Sequence, residues 1–120
     1  MASVQAELAV RVLNMATFAH LEHFKTSSYS AHKALESLYN DLPDAIDGFI
    51  ELYQGINGKI TSYPALTPMQ RPCAKMCSDL VDWIDANWDE LTDDDESLEN
   101  SLAEIRSLLL RAMYRLNELS

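Results

Sequence analysis

Apolar residues recur at three- and four-residue steps along four stretches of the chain, and that rhythm predicts four helices. The first runs from residue 2 to about 25: Gln5, Leu8, Val12, Ala16, Ala19 and His23 follow the spacing. Polar residues 26–30, TSSYS, end it and offer a serine cap to the next helix. That second helix should run from about Ser30 to Gln54, with Leu35, Leu38, Leu42, Ala45, Phe49, Leu52 and Ile56 as its packing seam. Pro43 removes a backbone donor and crowds the preceding turn, so a kink or break is expected near Asp41–Leu42.

Residues 55–72 have no such rhythm. Gly55 and the pair Asn57-Gly58 stop a helix, and Pro64, Pro68 and Pro72 keep the chain extended. The segment is long enough to cross the length of a bundle. The third helix should begin at Pro72 or Cys73, burying Met76, Leu80, Trp83 or Ile84, Trp88 and Leu91. Residues 92–97, TDDDES, read as a turn whose acids cap the next helix. They lack the glycine and the terminal glutamate of an EF-hand calcium loop. The fourth helix carries Leu98, Leu102, Ile105, Leu109, Ala112, Leu116 and Leu119 at the same alternation, with Arg106, Arg111 and Arg115 in its later part.

A chain of 120 residues with 3 glycines and 4 prolines fits one all-α domain spanning residues 1–120. No stretch approaches the roughly 18 apolar residues of a membrane span. The N-terminus does not read as a secretory signal, since Glu7 and Arg11 interrupt it, so a soluble cytoplasmic protein is expected. The formal net charge of -10 weighs against direct contact with nucleic-acid phosphates. It suits solubility, cation attraction or a basic protein partner. Helices apolar on more than one face point to a homo-oligomer, a dimer or higher. Cys73 and Cys77 make no disulfide framework. They are read as buried and inert in preference to a reactive pair at a helix start.

The chemistry-bearing residues concentrate between His20 and Glu51. All 3 histidines, His20, His23 and His32, lie there, and Asp47 and Glu51 share a helix face one turn apart. Imidazoles and carboxylates together suit iron, or another divalent transition metal such as manganese or zinc. Nothing resembles a nucleophile triad or a phosphate loop.

The segment from His32 to Glu51, HKALESLYNDLPDAIDGFIE, resembles the second helix of ferritin-like proteins of the Dps branch (DNA-binding proteins from starved cells). That family opens the helix with histidine, then has a Leu-Tyr pair, Ile-Asp, and a Glu one turn on; Leu38-Tyr39, Ile46-Asp47 and Glu51 stand here. Its other histidine ends the first helix. His20 reproduces the family's spacing to His32, whereas His23-Phe24 is closer to the family's His-Trp pair with a shorter loop, and both alternatives stand. The resemblance covers about residues 8–58. It implies a ferritin-like four-helix bundle with a long crossover between helices 2 and 3. It also implies an iron site between subunits, with His20 or His23 and His32 facing Asp47 and Glu51 of another subunit. Ferroxidase chemistry with peroxide or oxygen, and storage of the ferric product in a hollow shell, would follow. The chain is shorter than typical members, has no basic tail and carries Pro43. A short bacteriophage-encoded relative would keep the fold while losing the shell or the oxidation. The alternative is a non-catalytic acidic helical protein that occupies a partner's basic surface.

Overall fold

The computed structural model describes residues 2–67 and 70–119. In it five helices follow one another: α1 (Val4–Lys25), α2 (Tyr29–Asn57), α3 (Cys73–Ala86), α4 (Trp88–Thr92) and α5 (Glu96–Glu118). No strand occurs among the described residues. α1, α2 and α5 each start where the sequence supplies a partner for orphan N–H groups. Ser3 accepts from the Ala6 N–H, Ser28 from that of Ala31, and Asp95 from that of Leu98. α3 lacks such a local cap, and Glu22 reaches over from α1 to accept the Cys73 N–H at 3.1 Å.

Hydrogen bonds between distant residues fix the helix directions. Gln5 Nε2 donates to the Glu90 and Leu91 carbonyls, while Glu22 caps Cys73, so α1 and α3 run antiparallel. Ser30 Oγ donates to the Leu119 carbonyl, so α2 and α5 run antiparallel too. α1 and α5 each pack on α2 and α3. Among the described residues no Cα of α1 comes within 8 Å of α5, nor any of α2 within 8 Å of α3. The four long helices therefore form a ring in which every neighbour is antiparallel, and the link between α2 and α3 crosses from one end of the molecule to the other. That link is irregular, as expected; Pro68 lies outside the described residues.

The core is Leu8, Val12 and Met15 of α1, Leu35, Leu38, Leu42, Ile46 and Phe49 of α2, and Leu98, Leu102, Ile105 and Leu109 of α5, closed by Leu80, Ile84 and Leu91. Three expectations need correction. α2 continues through Pro43, so of the expected kink or break the break does not occur. The third helix stops at Ala86; the Asn87 side chain takes the Trp83 carbonyl, and Trp88 opens the short helix α4. Leu52 and Ile56, placed in the seam by spacing, are 41% and 55% exposed, because α2 there passes the start of α5. In TDDDES, Asp93 and Asp94 take left-handed backbone angles and Asp95 caps α5, so these acids serve the turn. Among the described residues no helix is long and apolar enough to cross a membrane.

Candidate metal centre

The turn between α1 and α2 sets the geometry. Thr26 N–H bonds back to the Glu22 carbonyl and closes α1, and Ser28 N–H bonds to Thr26 Oγ1. α2 starts immediately afterwards, so the last turn of α1 lies against the first turns of α2. His23 and His32 face each other there. Their rings are tilted by 35° with centroids 3.8 Å apart, and their Nε2 atoms are 2.9 Å apart. Glu36, one turn after His32, brings Oε2 to 3.9 Å from His32 Nε2 and 3.7 Å from Lys33 Nζ. One donor atom from each of His23, His32 and Glu36 falls in a group within 4.8 Å.

His20 does not join them. Its ring stacks on Tyr39, 3.9 Å between centroids and 8° from parallel, and stands 6.1 Å from the His23 ring. The single chain thus pairs His32 with His23. Asp47 and Glu51 are exposed on α2. At 1.5 Å per residue they lie about 22 and about 28 Å along the helix from His32, so they can meet the histidines only from another copy.

One Nε2 must donate to the other's lone pair, so the two rings carry opposite tautomers. In either arrangement His23 Nδ1, shielded from water, has no hydrogen-bond partner. Removal from water lowers the His23 pKa below its ordinary value, and the neighbouring His32 lowers it further, against a smaller opposite effect of Glu36. A neutral imidazole is the form that binds metal.

The donor set fits a divalent ion. Two nitrogens at about 2.05 Å from a metal and at a right angle to each other would be about 2.9 Å apart. Two imidazoles, one carboxylate and open positions form the ligand type of non-haem iron sites. Spacing had linked His32 to Asp47 and passed over Glu36. The signal for Glu36 was in the sequence: histidine and glutamate four apart share a helix face.

Cys73 and Cys77 lie at the opposite flank of α1, both buried. Burial pushes the Cys77 thiol up to about 12, helped by the Glu22 carboxylate. The Cys73 thiol is raised further by the same causes, with burial the larger. The expectation of inert cysteines agrees with this environment.

The class defined so far is an all-helical protein with an imidazole–carboxylate cluster at one helix turn. The chain belongs to the family described as "Family of unknown function (DUF5856)", which it matches over residues 23–116. That span begins at His23 and includes His32, Glu36, Asp47 and Glu51. The chain is also similar to the "Uncharacterized 14.6 kDa protein in mobD-ri intergenic region" of Enterobacteria phage T4. The two are 28% identical over 102 residues, covering 83% of this chain and 77% of the relative. No solved structure matches. The chain is thus related to a phage protein, and the Dps likeness rests on the α2 motif.

Proposed function

We propose that this protein is a ferritin-like helical bundle that binds a divalent transition metal, iron foremost, at the α1–α2 corner. His23 and His32 supply imidazoles and Glu36 the same-chain carboxylate, while Asp47 and Glu51 reach the site from a second copy. The observation that carries this reading is the convergence of His23 and His32 Nε2, 2.9 Å apart, with a carboxylate beside them. The antiparallel ring with one long crossover supports it, because ferritin-like bundles use that connection. A bound ferrous ion would supply one-electron oxidation chemistry at this corner, and carboxylates would favour the ferric product.

The chain's own residues do the holding. The serine-capped turn fixes the two rings, and the Tyr39–His20 stack closes the corner on the α2 side. If two copies pack with their α2 helices antiparallel about a point near Tyr39 and Asn40, residue 32 of one meets residue 47 of the other.

Anaerobic ferrous titration by calorimetry tests the reading. His23→Ala and His32→Ala should each weaken binding at least about tenfold while leaving helicity unchanged. His20→Ala should weaken it little. Absence of ferrous binding by the unmutated protein sinks the proposal.

The charge of -10 and the exposed acids Asp41, Asp44, Asp47 and Glu51 favour a second reading, an acidic surface that meets a basic protein. Under it the histidine variants are silent and charge reversal on α2 weakens partner capture.

A further inference from the structure

α2 and α5 leave an open groove between them on the side away from α1 and α3. Its floor is built of small side chains, Ala45, Gly48 and Ser101, and a Cβ placed on Gly48 would meet nothing within 4 Å. The groove's basic side chains stand at one end and most of its acids toward the other. At one end Arg111 and Arg115 flank a cleft of about 100 Å³ with Ser37 and Asp41. Arg115 makes only a long bond, 3.4 Å, to Ser37 Oγ, and Arg111 has no hydrogen bond or ion pair among the described residues. Asp41 lines the same cleft yet pairs with neither. At the other end the groove carries Asp44, Glu104 and Glu51, none of them in an ion pair among the described residues.

We infer that this groove is the docking surface for a second copy of the chain, packed antiparallel across a two-fold axis near Leu108. The charge order selects the occupant. Glu104 and Arg111 lie on one face of α5, about 10 Å apart along the axis, with Leu108 between them. Rotation by two-fold symmetry about Leu108 exchanges the two ends, so Arg111 of each copy meets Glu104 of the other. Arg115 then falls opposite the level of Glu51. An isologous contact needs such self-complementarity, and this groove has it. The small floor lets the helix backbones approach closely, and the rim presents Leu108 and the exposed Leu52 as apolar contacts. The groove shares Glu51 with the carboxylates proposed above for the metal corner, but its pairing of Arg111 with Glu104 does not involve that site, so the inference stands whether or not metal binds there.

Sedimentation equilibrium of the full chain at low and high salt tests it. The expected result is a mass at least twice the chain's 13.5 kDa at low salt, falling as salt rises. Arg111→Glu alone, and Glu104→Arg alone, should each raise the dissociation constant about tenfold. The double variant Glu104→Arg with Arg111→Glu should recover the original constant, because opposite charges face each other again. A single-chain mass for the unmutated protein at low salt overturns the inference. So do single reversals that leave the mass unchanged, and a double variant as weak as either single.

Discussion

His23 and His32 are joined Nε2 to Nε2 at 2.9 Å, and only one proton fits between those atoms. The fold favours the neutral form of His23. The His23 pKa is lowered, chiefly because the ring is removed from water and secondarily because His32 stands beside it. The unfolded chain then binds a proton more readily than the folded one. Stability from this group is fully present above the ordinary histidine value of about 6.5 and is lost as pH falls through the lowered folded value. Urea midpoints measured from pH 8 down to pH 5 should decline across that window, and His23→Gln should flatten the decline. An unaltered slope in His23→Gln would remove the pair from the account.

Much of this arrangement was legible in the chain. Leu98 to Ala112 kept one face through α5, and the runs TSSYS and TDDDES contain the caps of the helices that follow them, Ser28 and Asp95. What spacing could not give were effects set by neighbours. Leu52 shares the periodicity of Phe49 but falls on the open side of the α2–α5 groove, beside the first turns of α5. Asn87 breaks the third helix through a side chain that takes a carbonyl of the preceding turn, a local competition invisible to hydrophobic rhythm. At the site, the histidine window was readable, but the choice of His23 over His20 depended on the depth of the turn at residues 26–28. Tyr39 holds His20 by stacking instead.

Pro43 sits inside α2, where it cannot donate to the Tyr39 carbonyl. The helix is continuous despite this, so the cost is borne by packing rather than relieved by a break. Pro43→Ala restores the donor and a better helix former. Its expected effect is a gain of about 1–3 kcal/mol in unfolding free energy, read from urea titration followed by circular dichroism. A loss of stability would mean that the ring of Pro43 fills space that alanine leaves empty.

The thiols of Cys73 and Cys77 are buried, and both are held above their ordinary values, Cys77 at about 12. Burial is the larger cause and the Glu22 carboxylate adds to it. At neutral pH almost no thiolate exists in the folded protein, so a disulfide reagent should react at the rate of unfolding, not at that of a free thiol. Glu22→Gln removes the negative charge but also weakens the cap on the Cys73 N–H. It should lower both thiol values while costing about 1 kcal/mol of stability. Prompt labelling of the native unmutated protein would contradict the buried placement.

The contrast between Phe49 and Leu52 gives the sharpest measure of where the core ends. Both lie on the periodic seam of α2, yet Phe49 is fully buried and Leu52 is 41% exposed. Phe49→Ala removes a large ring from among α1, α2 and α5 neighbours that cannot collapse into the space, at a cost of about 3–5 kcal/mol. Leu52→Ala removes a side chain that already meets water and should cost less than about 1 kcal/mol in the dissociated chain. Denaturant titrations of both variants at high salt and low concentration isolate this term from any contribution of a second copy in the groove. Equal losses at the two positions would place the end of the core a full turn further along α2 than Phe49.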